Sequence, residues 1–310
     1  MKNYSRELVI AFLLGALLIL LAVAVPEFFK LHPLLSLLAR EAPTLVVACG
    51  MAMIIICRQI DISVGSQFAV CSVCAGALAA MHWPVALVLA ASIFLGAMLG
   101  AFNGALVAGL QLPSIVVTLA TMVTWREALR WKRQGEFINL PDGVQWFGLD
   151  QIAGQSALVI FAAGLLIALL FAAKNLAAGR FLYAVGSESE AARLAGIRPR
   201  LVTFWTFVIM GALTGCAALM NVLQSPQVDP KSGLGLELKT ISAAVIGGIS
   251  ISGGRGRLCG MFLGLLLLIC INPALTCLRV EAYWERAIQG AIILLAIVAD
   301  GWRGRNENRS

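Results

Sequence analysis

Apolar runs with almost no charge recur along the whole chain. They cover residues 8–25, 43–57, 66–81, 85–110, 113–124, 156–173, 202–223, 240–252, 258–278 and 287–299, ten candidate membrane segments. A straight helical span needs about 20 apolar residues, so the shorter runs must borrow flanking residues or be tilted, broken or re-entrant. Backbone in lipid has to satisfy its own hydrogen bonds, which makes helices the default and confines non-helical pieces to positions facing protein or water. The runs are continuous and do not alternate, which argues against a β-barrel. The expected fold is therefore all-α: a polytopic membrane helix bundle of about ten transmembrane helices with broken or re-entrant segments, forming one transmembrane domain over residues 1–310.

Composition agrees, with 60% hydrophobic and 13% charged residues among 310, against about 25% charged in an ordinary soluble domain. Glycine is abundant and sits with Ala, Ser and Cys inside the apolar runs, most clearly at Gly96, Gly100 and Gly104. Small residues four apart let helix backbones approach closely, which predicts a compact bundle and not a string of anchors.

The first ten residues, MKNYSRELVI, lead into an 18-residue apolar run. No small-residue cleavage site follows Val25, where Pro26 and Glu27 come next, so a retained first helix is expected in place of a signal peptide. With ten crossings starting inside, thirteen basic residues face six acidic ones on the inner side, while the outer side holds ten of each. That asymmetry puts both termini in the cytoplasm, with Arg130, Lys132 and Arg133 against the trend on the outside. The net charge of +7 needs anionic lipid headgroups as partner and no nucleic acid.

Eight cysteines and two histidines leave few metal ligands. Cys71 and Cys74 form a C-x-x-C without a second cysteine or histidine pair, which reads as two small hydrophobes. No metal site and no catalytic residue are expected.

Polar segments interrupt the pattern at four places. The link 125–155 carries Trp125, Trp131 and Trp146 with a Pro141-Asp142-Gly143 turn signal, suited to a membrane interface. The segment 58–66, RQIDISVGS, sets a charged pair between two apolar runs with hardly any loop; Asp61 and Ser63 suit the start of the next helix as caps, and Arg58 suits a pair with Asp61. A direct role for Asp61 along a solute path is the alternative. Residues 243–256 place Gly247, Gly248, Gly253, Gly254 and Gly256 after an apolar run. They lack the Lys-Ser/Thr ending of a phosphate loop and read as a broken helix lining a cavity. No Walker sequence appears, so the chain itself is not expected to hydrolyse ATP.

The fourth interruption is GRFLYAVGSESEAARLAG, residues 179–196, the most polar long interior segment. Ser187 and Glu190 have capping-box spacing, and glutamates suit the positive end of a helix. Gly196 and Pro199 stop it. The predicted helix is 188–195, roughly 12 Å long and too short to be stable alone. Its face of Ala191, Leu194 and Ala195 must dock, either on the membrane end of the protein itself or in a partner's groove.

Together RQIDISVGS, GAFNGALVAGLQLPSIVVTLATM, GRFLYAVGSESEAARLAGI and AAVIGGISISGGRGRLCGMFLG resemble the permease subunits of bacterial ribose-type ABC importers, whose members serve ribose, xylose, galactose, rhamnose and autoinducer-2. The resemblance runs from about residue 43 to 301, with the motifs in the family's order. It implies a ten-helix permease in the inner membrane, working with a second copy or a paralogue. Cassette ATPases, carrying ATP and magnesium, would dock in the cytoplasm, and a periplasmic sugar-binding protein would deliver the solute. The permease would bind no cofactor. The polar segment becomes a cytoplasmic coupling loop, 174–202. Gly179, Arg180, Tyr183, Gly186, Ala191, Ala192 and Gly196 match the family's coupling segment, with Ser187, Glu188, Glu190, Arg193 and Leu194 expected to share its contact with the ATPase.

The resemblance assigns a second set to the translocation path or its gate: Asp61, Ser63 and Gly65, Asn103 and Thr118, and Gly247, Gly248, Gly253 and Gly254. Asn103, Thr118, Thr121, Asn221 and Asn272 are neutral hydrogen-bonders available to a polar solute, although such residues often simply join helices. The chain departs from the family at Glu188 and Ser189, where a small residue or asparagine is common, and at Arg126-Glu127, where Arg-Gly is usual. Rival readings are a self-sufficient secondary transporter or channel, which would carry an ionisable residue deep in a span, a branched-chain amino acid type permease, and an intramembrane enzyme.

Overall fold

A computed structural model describes residues 5–144 and 152–277, with isolated helical positions at 284, 287, 290, 291 and 294. Of the described residues, 78% are helical. The helices are α1 (Ser5–Ala24), α2 (Leu31–Ile56), α3 (Val64–Ala80), α4 (Val85–Gly104), α5 (Ser114–Arg133), α6 (Ile152–Asn175), α7 (Ala177–Ser187), α8 (Ser189–Leu194), α9 (Pro199–Val222), α10 (Leu236–Ile246) and α11 (Leu258–Cys277). Five are long and apolar enough to cross a membrane, Leu31–Ile56, Val85–Gly109, Ile152–Asn175, Pro199–Val222 and Leu258–Leu275, with shorter apolar helices at Leu8–Ala24 and Val64–Ala80. The chain is an all-α membrane protein. Apart from positions 287, 290, 291 and 294, the last apolar run, 287–299, lies outside the described residues, as do residues 145–151 of the 125–155 link.

α2 is the centre of the bundle. Val46, Val47, Ala48, Met51, Ala52, Ile54 and Ile55 are all buried, and α2 touches α6, α9, α10 and α11. It begins twelve residues before the apolar run at 43, carrying Arg40 and Glu41 inside the helix and accepting Pro43.

The closest helix pair is α4 with α9, and the glycine spacing is the cause. A Cβ on Gly96 would overlap the Gly211 carbonyl, and one on Gly211 would overlap the Gly96 carbonyl. Ser92 Oγ donates across the seam to the Gly215 carbonyl at 2.7 Å. Without a hydrophobic force between helices in lipid, this backbone approach and the bond across it supply the attraction. The opposite side of α4 exposes Phe94, Met98 and Phe102, as a lipid-facing surface should. A π-helical turn, Ala105–Gly109, extends α4.

Part of the predicted polar link is helix: α5 continues to Arg133 before Gln134 turns left-handed at φ 49°. Beyond it β1 (Ile138–Asn139) pairs antiparallel with β2 (Gln227–Val228). Ile138, Leu140 and Val228 then cover Ala75, Ala79, Val88 and Val222 at one end of the bundle.

Candidate functional site

Two spans are discontinuous, and their breaks organise the site. α2 ends at Ile56 and α3 starts at Val64, leaving an irregular segment, 57–63. α10 has only 11 residues, about 17 Å against a hydrocarbon core of ~30 Å, and residues 247–257 separate it from α11. Both breaks begin with the same closure. At α2, Arg58 N–H bonds the Ile55 carbonyl and Gln59 N–H the Ile54 carbonyl; at α10, Gly248 bonds Val245 and Ile249 bonds Ala244. These are Schellman motifs with a left-handed residue after the helix, Gly248 at φ 85° in one and Arg58 at φ 62° in the other.

The freed backbone of 57–63 is satisfied by side chains of α5. Ser114 Oγ accepts from Ile60 N–H at 3.2 Å, and Thr118 Oγ1 accepts from Ile62 N–H at 3.1 Å. The Thr118 hydroxyl proton is shared between the Ser114 carbonyl, 2.8 Å, and the Ile60 carbonyl, 3.3 Å. An amide left without such partners between apolar helices is costly, so Thr118 acts here as a backbone surrogate.

Asp61 is fully buried and heads a side-chain knot. Its Oδ1 accepts from Ser63 N–H at 2.9 Å and from the Ser63 hydroxyl, and its Oδ2 accepts from Gln67 Nε2 at 2.9 Å. Ser63 Oγ accepts in turn from Gln67 Nε2 and Asn103 Nδ2, both at 2.8 Å. Asp61, Ser63 and Asn103 are thus brought together, and Gln67, which no motif singled out, completes the knot. Asp61 takes the amide of Ser63 at the helix start, whereas Ser63 makes no side-chain cap. Arg58 lies exposed and is not among the partners that hold Asp61. Gln67 Oε1 and Asn103 Oδ1 remain buried without a partner.

α7, in the segment that the sequence reading expects to be a coupling loop, meets both breaks at once. α7 buries Gly179, Leu182, Val185 and Gly186. A Cβ on Gly186 would overlap the Ile56 carbonyl and crowd Gly254 N at 2.8 Å. Gly254 N–H donates to that same Ile56 carbonyl at 2.8 Å. Tyr183 Oη donates to the Gly256 carbonyl at 2.9 Å, and burial raises the Tyr183 pKa above the usual phenol value. Gly253 and Gly254 therefore lie against the C-terminal end of α7. Gly247 packs on the backbone of Gly260 and Met261 in α11. Gly65 faces elsewhere, toward Gly233 and Glu237.

The short polar helix differs in detail from the sequence expectation. It is α8, Ser189–Leu194, with Glu188 as N-cap at φ −156° and no side-chain cap. Ser187 is the last residue of α7 and its hydroxyl faces the Gly254 carbonyl at 3.5 Å, so the predicted capping box does not form. Glu190 instead binds Arg193, which holds its carboxyl below the usual range. Gly196, at φ 83°, closes the helix in a Schellman motif: its N–H bonds Arg193 and that of Ile197 bonds Ala192. Ala192 is the buried residue of α8, 4% exposed. Ala191, Leu194 and Ala195 are all exposed, Leu194 at 79%. Arg180 is exposed as well, reaching back to the Asn175 carbonyl.

Charged contacts also appear that hydropathy alone hid. Lys239 Nζ contacts both carboxylate oxygens of Glu41 at 2.9 and 2.8 Å, with side chains only 17% and 11% exposed. The partners are 198 residues apart in sequence, and both fall just outside the apolar runs, so only the fold brings them together. Arg126 Nη1 donates to the Ser232 carbonyl at 3.2 Å. Among the described residues, no group of three His, Cys, Asp or Glu side chains is placed to hold a metal.

The sequence matches the family described as branched-chain amino acid transport system / permease component over residues 33–297. It is 35% identical over 298 residues to the autoinducer 2 import system permease protein LsrC of Klebsiella pneumoniae subsp. pneumoniae, covering 96% of this chain and 87% of that one. The LsrC protein of an Enterobacter species is 33% identical over 96% of this chain and 87% of its own. The ribose import permease protein RbsC of Escherichia coli is 30% identical over 293 residues, 92% of this chain and 91% of that protein. No solved structure matches the chain.

Proposed function

Because the chain belongs to this family of transport permease components, and within it to the ribose-type ABC permeases, we propose that it forms the translocation path for a sugar or sugar-like solute. It is a multi-pass membrane protein, read here as an inner-membrane domain of about ten crossings over 1–310 with both termini in the cytoplasm. A periplasmic binding protein delivers the solute. A separate cassette ATPase, holding ATP and magnesium, drives transport, and a second permease, identical or paralogous, completes the path.

The observation that carries this reading is the exposed apolar tip of α8. A six-residue helix does not persist alone; here buried Ala192 holds it to the bundle and the Schellman closure at Gly196 ends it. That leaves Ala191, Leu194 and Ala195 uncovered at i, i+3 and i+4 on a polar, solvent-suited loop, 174–202. Small side chains on such a face suit close insertion into a soluble partner's groove.

Behind the tip, α7 bears directly on Ile56 and Gly254, so movement of the coupling segment displaces the two discontinuous spans together. Alternating access follows: cassette closure draws the coupling helices of two permeases together and opens the cavity between them to the loaded binding protein. The path needs little affinity, since the binding protein selects the solute and the path must release it. Asp61, Ser63, Gly65, Asn103, Thr118, Gly247, Gly248, Gly253 and Gly254 support this path by holding its broken backbone.

The test is purification in mild detergent from native membranes, with crosslinking through a cysteine at position 191 and mass spectrometry of what remains attached. A cassette ATPase linked to residue 191 is expected. Recovery of the chain alone, with no ATPase after crosslinking, would replace this reading with a self-sufficient transporter.

A further inference from the structure

At the end of α10 remote from the Gly253–Gly254 contact, two polar side chains with unpartnered atoms lie beside Arg126. Glu237, in the first turn of α10, accepts from Gly235 N–H at 3.3 Å through Oε1, while its Oε2 is buried without a partner. Ser232 Oγ is likewise buried and unpartnered, and the Ser232 carbonyl receives Arg126 Nη1. The absent side chain of Gly65 makes room for them. A Cβ there would overlap Glu237 Oε2 and lie 3.4 Å from Arg126 Nη2. Gly65 stands in the first turn of α3, two residues beyond Ser63 of the Asp61 knot.

We propose that Arg126, Glu237 and Ser232 form a hydroxyl-binding station on the translocation path, taking a neutral polyhydroxylated solute as α10 moves away from α3. The proposal rests on the importer reading. A carboxylate oxygen accepts only, a guanidinium donates only, and a sugar hydroxyl does both, so adjacent hydroxyls satisfy the pair together. Arg126 and Glu237 carry opposite charges side by side, so the pair has no net charge to favour an ion of either sign, and a neutral polyol can bond to both partners. In the state described, Glu237 Oε2 is pressed against Gly65 and closed off. Separation of α10 from α3 exposes an oxygen already lacking a partner, and the hydroxyl that arrives takes a bond that closure withdraws again. Such a station binds in one state and releases in the other.

The experiment uses the full chain assembled in lipid nanodiscs with the second permease and cassette ATPase of its own importer and supplied with its binding protein, with the exposed Cys259 changed to Ser. Leu234, exposed and two residues from Ser232, is changed to Cys as a reporter, and its labelling by a charged methanethiosulfonate is timed during turnover with ATP. D-ribose, D-xylose and D-galactose are added in separate runs. At least one sugar should slow labelling, and adding Glu237→Gln or Arg126→Lys should weaken that protection about tenfold, the loss of one charge-assisted bond. Co-purification of the ATPase with each variant establishes that it is folded. Labelling indifferent to all three sugars, or protection undiminished in both variants, overturns the station and leaves the importer standing. Failure of the unaltered chain to bring down a cassette ATPase overturns both.

Discussion

The backbone N–H of Gly254 and the carbonyl of Ile56 meet at 2.8 Å, and Gly186 of α7 lies against that same carbonyl. One hydrogen bond thus joins the ends of α2 and of the irregular segment after α10, and α7, the proposed coupling segment, sits on the joint. Gly186→Val drives a branched side chain into the Ile56 carbonyl. Overpacking of this kind costs about 1–3 kcal/mol, and here it separates α7 from the joint. The expected outcome is a membrane-inserted permease that retains its ATPase but transports poorly per ATP hydrolysed, measured in proteoliposomes. Gly186→Ala should show the same defect in weaker form. Normal coupling in both would mean that the joint does not transmit motion.

At the tip of α8, Ala191→Trp adds bulk to an exposed face with no neighbour in the bundle. Bundle stability should stay within about 0.5 kcal/mol, as for other surface changes, while transport falls sharply. Glu190→Lys provides a second view. It removes the Glu190–Arg193 pair, an exposed contact that contributes little to stability, so lost uptake in this variant points to the partner surface. Uptake and thermal unfolding of the detergent-solubilised protein, measured side by side, separate the two effects.

Thr118 tests the account of the first break. Thr118→Val keeps the shape but removes the acceptor for Ile62 N–H and the donor to Ser114 and Ile60. An orphaned buried amide costs about 1–3 kcal/mol. A lower midpoint of thermal unfolding is expected, restored largely by Thr118→Ser. A Val variant as stable as the parent would show that these bonds are replaced when lost.

Several of these elements were legible in the sequence for definite reasons. Hydropathy marks the long spans because lipid-facing and core-facing positions are both apolar. The glycine spacing at 96, 100 and 104 anticipated a close helix contact, though not that Gly211 and Gly215 supply the other side. Gly196 announced the end of α8. The capping box at Ser187 misled because Leu182, Val185 and Gly186 pack inward and carry α7 through Ser187, leaving Glu188 to start the next helix. The knot at Asp61 was half visible: Ser63 and Asn103 stood in recognised motifs, whereas Gln67 looks like any polar residue until the fold turns it onto Asp61. The Glu41–Lys239 pair depends on a contact between α2 and α10 that local pattern does not encode.

Arg58 was the other surprise, and it carries the last prediction. The sequence offers a charged residue where the Schellman closure of α2 wants a left-handed conformation, and Arg58 adopts φ 62° without glycine's freedom. That geometry costs an L-residue roughly 1–2 kcal/mol. Arg58→Gly should therefore raise the thermal midpoint, whereas Gly196→Val, which imposes the same strain at α8, should lower it. If Arg58→Gly also weakens transport or inverts the topology, the strain is retained for the charge: under the proposed orientation, an exposed Arg at the Ile56 end of α2, beside Gly253, would belong to the basic face on the cytoplasmic side. Arg58→Lys then separates the two causes, since it keeps both the charge and the strain; full function with unchanged stability in Lys, against gained stability and lost orientation in Gly, assigns the residue to charge placement.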